Sequence, residues 1–371
     1  MKYLILFVFL YSTTLALGQS KEFTTSGRLI LGTHIERTAS ISSGDIDNDG
    51  DNDIILANGR HWPGQNRIFI NNGKGIFTVS RPLGIESSTS YSAELADFDG
   101  DGDLDIAVGN DMAPNYIFFN DGVGNFTKGN SFGKDYAPTR NIVVADLDGD
   151  NDLDILITNR GRENEICLND GKGNFAPSIG FGSKEDATID VEVADIDGDG
   201  DNDLILANRD GQPNYIYLNN DKMEFTERIQ FGNGSDNTRS VAVIDINNDG
   251  HLDIITANIG EPNAIYFGDK KLSYTETVVF DTGLSRSFAI ANGDLDLDGD
   301  MDLIIGNSGE PNTVFINGED GKIWRKILLS DKQLNTYDIL AVDLNGDGNL
   351  DIVESNSDAL NLYYLNKMEI K

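Results

Sequence analysis

The chain has a single cysteine, Cys167, among its 371 residues, so no intramolecular disulfide can brace it. Basic residues are scarce as well: 28 Lys plus Arg stand against 62 Asp plus Glu, a formal net charge of −34. That imbalance excludes nucleic acid and anionic membrane as partners, because both would repel it. Beyond the first 18 residues no apolar run is long enough to cross a bilayer, so no membrane span is expected. Nucleophile elbow, phosphate-binding glycine loop and zinc motif are all missing. What is present is a 39% share of hydrophobic residues in short β-like runs, too many for charge to keep the chain disordered.

Residues 1–18 read as an export signal. Lys2 supplies the positive start, residues 3–17 a short apolar stretch, and Ala16-Leu17-Gly18 a small-x-small cleavage site before Gln19. The stretch is too short for an anchor and is interrupted by Ser12-Thr13-Thr14. The expectation is a secreted, periplasmic or cell-surface protein in which residues 19–371 form a single domain.

Seven Asp-rich loops begin at Asp45, Asp97, Asp146, Asp195, Asp245, Asp294 and Asp343, 49 to 52 residues apart. One supersecondary unit repeated seven times, with no linker, accounts for that regularity. Each unit reads as four short strands separated by Asn, Asp and Gly turns, the size of a propeller blade. Other columns keep register with the loops. Seven residues before the first Asp a hydroxyl always stands: Thr38, Ser90, Thr139, Thr188, Thr238, Ser287, Thr336. A third-strand column of aromatics takes in Cys167, which assigns that thiol to packing and not to reactivity. Fourth-strand aromatics open with Phe77, Phe126, Phe175, Phe225, Tyr274 and Trp324. The seventh unit has none of its own, but Phe23-Thr24 matches Phe77-Thr78, so residues 22–31 are expected to complete it. The fold predicted is all-β: a seven-bladed β-propeller, four antiparallel strands per blade, the last blade closed by the N-terminal strand.

Within each loop, side chains at positions 1, 3, 5 and 9 can converge on one point, joined by the carbonyl of position 7. The candidate metal ligands are therefore Asp45, Asp47, Asp49 and Asp53; Asp97, Asp99, Asp101 and Asp105; Asp146, Asp148, Asp150 and Asp154; and Asp195, Asp197, Asp199 and Asp203. The remaining loops add Asp245, Asn247, Asp249 and Asp253; Asp294, Asp296, Asp298 and Asp302; and Asp343, Asn345, Asp347 and Asp351. Hard oxygen donors on flexible loops suit Ca²⁺, up to seven ions, and the lack of His or Cys ligands argues against zinc. Half of the chain's acidic residues sit in these turns, where they repel one another unless a cation lies between them. Loops five and seven carry Asn at position 3 and should bind most weakly. An EF-hand is excluded, because position 12 is apolar or Thr in six loops and a strand follows each.

On these Asp-x-Asp/Asn-x-Asp-Gly-x-x-Asp loops, and on the pairs Phe132-Gly133, Phe181-Gly182 and Phe231-Gly232, the chain resembles the FG-GAP/VCBS repeat family, which includes the calcium-binding propeller of integrin α subunits. The resemblance spans residues 22–366 and implies calcium in the hairpin between each blade's first two strands, hence seven loops on one face. The Gly-Ala-Pro half of the family's name is missing, which makes the chain look closer to bacterial exported repeat proteins; integrin ligands are not transferred.

Recognition then belongs on the opposite face. Residues one past the hydroxyl column stand where each innermost strand begins and could ring a central channel: Ala39, Tyr91, Arg140, Ile189, Arg239, Phe288 and Tyr337. Tyr91, Arg140, Arg239, Phe288 and Tyr337, with Arg60, His61 and Trp62 of the longest second-to-third-strand loop, are the candidate ligand contacts, since arginines and aromatics suit acidic sugars and carboxylates. They could equally do no more than pack the channel mouth. A recognition or adhesion module for a glycan or protein is the expected function. The alternative is a polysaccharide-active lyase or hydrolase on that same face, for which His61, Tyr91 and Arg140 or Arg239 are the grouping available.

Overall fold

The computed structural model describes residues 22–220 and 223–368, and the proposed export segment lies outside them. Among these residues there are 27 strands and no helix, so nothing helical is long and apolar enough to cross a membrane. Five four-stranded antiparallel sheets follow one another along the chain, like propeller blades. In the second unit, for example, Ser90–Ala96, Asp105–Asn110, Asn115–Asn120 and Phe126–Phe132 pair in that order. The second strand of each sheet is buried along its whole length. That is why Ile-Leu-Ile runs stand there without the polar alternation of a half-exposed strand.

The remaining sheet has seven strands and joins the two ends of the chain. Thr336–Val342 pairs with the front of the 16-residue strand Asp351–Asn366, which turns back near Asp358. Its rear half takes two N-terminal segments as neighbours: Phe23 pairs with Asn366, Thr24 with Leu365, Ile30 with Leu362 and Leu31 with Asn361. Residues 25–29 fall between these pairs, so the segment 22–31 reaches this sheet in two pieces, with Thr25 Oγ1 donating to the Tyr363 carbonyl between them. The first strands touch in chain order, and Thr336–Val342 also touches Ile30–Gly44.

Two features set the register. Every first strand has a bulge directly after its hydroxyl residue: Thr38 faces Asn58 and Ser40 faces Ala57, leaving Ala39 unpaired, and the six other first strands repeat this. The hydroxyl itself links neighbouring units. Asn66 Nδ2 donates to Ser90 Oγ at 2.9 Å, and Ser90 Oγ donates to Asn110 Oδ1 at 2.9 Å. The same pattern ends with Asn361 Nδ2 donating to Thr38 Oγ1 at 2.9 Å, across the join between the chain's ends. All these groups are buried, so each bond removes an otherwise costly orphan.

Phe126 and Trp324 lie in fourth strands, whereas Phe77, Phe175, Phe225 and Tyr274 stand in the turn before theirs. Their rings are held by other contacts instead of by the ladder: Phe175 meets Phe98 of the preceding unit, and Tyr274 donates to the Leu252 carbonyl of its own unit. Cys167 is fully buried in a core cluster with Phe98 and Phe132, and burial pushes its thiol up to about 12. It packs and is not poised to react.

Candidate functional site

Each Asp loop ends on a residue that is both loop and strand. Asp53 opens the second strand of unit one, is buried, and accepts from Ile46 N at 3.1 Å and Asn71 N at 2.8 Å. All seven loops repeat this pair of bonds, and burial raises the seven carboxylates to about 6, or about 7 for Asp302. Asp45 folds the loop by accepting from Asp49 N and Gly50 N. Position 6 requires the left-handed conformation; where glycine is missing, Asn151 adopts it at φ 69°.

Folding in this way crowds like charges. In five loops three carboxylates bring ligand oxygens within 4.8 Å of one another: Asp45, Asp47 and Asp53; Asp97, Asp99 and Asp101; Asp146, Asp148 and Asp154; Asp195, Asp197 and Asp199; and Asp294, Asp296 and Asp302. Asp49, Asp105, Asp150, Asp203 and Asp298 belong to the same loops but fall outside these triads. Loops five and seven, with Asn247 and Asn345 at position 3, gather no such triad. Asp47 Oδ1 and Asp99 Oδ1 are buried and accept no hydrogen bond, a costly arrangement that a cation between the oxygens would relieve. The donor set, all oxygen and mostly anionic, fits a hard divalent ion.

Roughly 20 Å away, at the other end of the first strands, the bulge residues surround a mouth. His61, Tyr91, Arg140, Arg239, Phe288 and Tyr337 line one cavity of about 170 Å³ there. Arg60 stacks 4.0 Å from the Tyr337 ring centre. Trp62 does not line the cavity; it is 66% exposed, with Arg37 5.8 Å from its ring. Below the mouth lies a channel of about 500 Å³ lined by all seven first strands.

Three arginines escaped the sequence reading: Arg160, Arg209 and Arg286 also line the mouth. Arg160 and Arg209 directly follow the Asn that ends their second strand, and Arg286 directly precedes a column hydroxyl, so two further columns would have exposed them. Asp111, in the same column as Arg160, was missed too. It is buried, with one oxygen 2.8 Å from Arg140 Nη1 and the other 2.9 Å from His61 Nδ1. Asp210 receives both Arg160, at 2.7 Å, and Arg209, at 3.1 Å. Arg239 and Arg286 differ from these: each lies 5.7 Å from the Phe288 ring centre, and neither has a carboxylate within ion-pair distance among the described residues. Burial depresses the Arg239 guanidinium, opposed by the fields of Asp190 and other groups.

The FG-GAP-like repeat profile matches the chain five times, over residues 45–108, 97–157, 146–206, 195–256 and 294–354. No curated protein sequence matches it. Among solved structures, BBS1N in complex with ARL6DN superposes with a TM-score of 0.62 at 12% identity, covering 94% of this chain and 99% of that one. The rhamnogalacturonan lyase YesW superposes with a TM-score of 0.54 at 13% identity, covering 94% and 76%. At such identities the likeness is one of fold.

Proposed function

This chain belongs to the FG-GAP-like repeat family, and from that premise we propose that it is an exported, seven-bladed calcium-binding β-propeller whose channel mouth recognises an anionic glycan or protein ligand. The seven repeated units, the first strands that touch in order and the strand pairing across both termini support seven blades. The three-carboxylate clusters and the orphaned oxygens of Asp47 and Asp99 support calcium in the loops. Bound there, the ion would neutralise the loops and hold each hairpin; Asp and Asn at positions 1, 3, 5 and 9 would supply its side-chain ligands.

One observation carries the recognition reading. On a chain of net charge −34, Arg239 and Arg286 are held at a cavity without a carboxylate partner. Guanidiniums without a carboxylate in direct contact, in a partly desolvated site, attract an anion from the ligand. Both structural neighbours suit a propeller face used for contact: one is in complex with ARL6DN and the other is a rhamnogalacturonan lyase.

The test is an array of acidic and neutral glycans, with protein ligands alongside, probed with calcium-loaded protein and with Arg239→Ala/Arg286→Ala. Binding to acidic members that the double variant loses is the expected result. Equal binding by both proteins, or a preference for neutral ligands, would remove the mouth from the account.

A further inference from the structure

Anion binding leaves part of the mouth unexplained. A carboxylate cannot donate, so the 2.9 Å contact between His61 Nδ1 and Asp111 Oδ2 places a proton on Nδ1. Nε2 is then the acceptor, and Tyr91 Oη, 2.9 Å from it, donates its proton there. The second Asp111 oxygen is tied to Arg140, whose guanidinium lies 4.5 Å from the Tyr91 ring centre. Tyr91, His61 and Asp111 thus form an ordered chain that can draw the phenolic proton inward, with Arg140 placed to steady the resulting phenolate. Tyr91 lines both the mouth and the channel beneath it. Burial raises its phenol, and the fields of Arg140, Arg60 and Arg239 work in the opposite direction.

A phenol–imidazole relay beside unpaired arginines suits one class of polysaccharide cleavage better than another. Glycoside hydrolysis needs two carboxyl groups flanking the bond, but Asp111 and Asp210 at the mouth are committed to ion pairs. Removing a proton next to a carboxylate needs instead a base and a cation that neutralises that carboxylate. We propose that Tyr91 abstracts the C5 proton in a β-elimination that cleaves 4-linked uronate chains at the channel mouth, with His61 and Asp111 as its relay and Arg239 on the substrate carboxylate. This inference rests on the anionic-ligand reading of the same site.

The step balances without water or oxidant. Tyr91 Oη takes the C5 hydrogen as a proton while its own proton passes to His61 Nε2. The electron pair left at C5 forms the C4=C5 bond, and the C4–O4 bond breaks. The departing O4 takes a proton from Tyr91, which recovers one from His61. Asp111 stabilises the transient imidazolium and holds the ring in position, as a positioning residue.

The experiment incubates calcium-loaded wild type, Tyr91→Phe and His61→Ala with polygalacturonate, alginate and a glucuronate-containing polymer. Ultraviolet absorbance reports unsaturated product, and calorimetry reports binding in parallel. The expected result is product from one polymer class with wild type, and a loss of about 100-fold or more in turnover with Tyr91→Phe while affinity stays within about 2-fold. His61→Ala should lower turnover and move the pH–rate profile, which a purely structural histidine would not do. Wild type that binds uronate polymers without releasing unsaturated product overturns the relay and leaves recognition standing. Tyr91→Phe with undiminished turnover overturns the assignment of Tyr91. Absence of both binding and product overturns the two readings together.

Discussion

Replacing Glu192 by Gln should stabilise the protein, and by more as pH rises. Glu192 lines the channel, and its carboxyl has no hydrogen-bond partner among the described residues. Burial, then the charges of Asp190 and Glu94, push its carboxyl from an ordinary 4.5 up to about 8. Around it, Asp190 accepts from Val241 N, Val191 N and Asn141; Asp338 accepts from Ile41 N; Glu94 accepts from Ser42 and Ser92; and Arg140 and Arg239 are the cations that line the channel. Between pH 4.5 and 8 the folded state therefore keeps a proton on Glu192 that the unfolded state has released. Stability falls as pH rises through that window and levels off above it, at about 1.4 kcal/mol per pH unit. From about pH 6 to about pH 8 the wild type should lose on the order of 2–3 kcal/mol relative to Glu192→Gln. Glu94, also pushed to about 8 by burial, titrates alongside, so Glu94→Gln/Glu192→Gln should flatten the profile further. Urea denaturation at several pH values, in saturating calcium so that the loop aspartates stay ionised, measures the difference directly. A constant gap between wild type and Glu192→Gln across the window would refute the reasoning, for it would mean that Glu192 is solvated and ionised throughout.

Phe23→Ala removes a fully buried ring from the cluster that includes Leu295, Leu329 and Tyr364, and should cost about 3–5 kcal/mol in denaturant unfolding. A loss under about 1 kcal/mol would show that the N-terminal segment is not part of that core. In a chelator titration loops five and seven should release calcium first, and Asn247→Asp should hold it to lower free calcium; no shift, or earlier release, would contradict the ligand assignment. Cys167 should resist thiol reagents in the native state and react after unfolding, and labelling at equal rates in both states would contradict its burial.

The repeats were legible because each has a local cause that recurs in the sequence. The column hydroxyls recur because each meets an Asn on its own sheet and six of the seven also meet one on the sheet before, as Ser90 does with Asn110 and Asn66. Phe23-Thr24 could be matched to the fourth-strand aromatics from sequence alone for the same reason. The mouth was only partly legible. The six candidates that line it all follow from the bulge column or from the neighbouring His61, but what each touches depends on residues 29 to 50 positions away, on other units. Arg140 meets Asp111 of the preceding unit, and that unit's Tyr91 meets His61 of the unit before it. A column read along the chain records equivalent places and not the pairs formed between columns. Trp62 stands apart from the mouth for a related reason: an aromatic in the longest loop marks a distinctive place, and its ring is exposed outside the cavity.

The seam between the chain's ends has a consequence for time as well as stability. Thr24 Oγ1 donates to the Leu365 carbonyl across 341 residues, whereas the ladders inside each four-stranded sheet join strands that are neighbours in the chain. Local sheets can form as soon as their strands exist, but the seam must wait for both partners, and its closing entropy has to be met by a few pairs around Phe23 and Leu31. Folding should therefore run in two stages, with sheets gathering early and one late step engaging the seam. Under heat or protease the same order reversed makes residues 22–31 the first to let go.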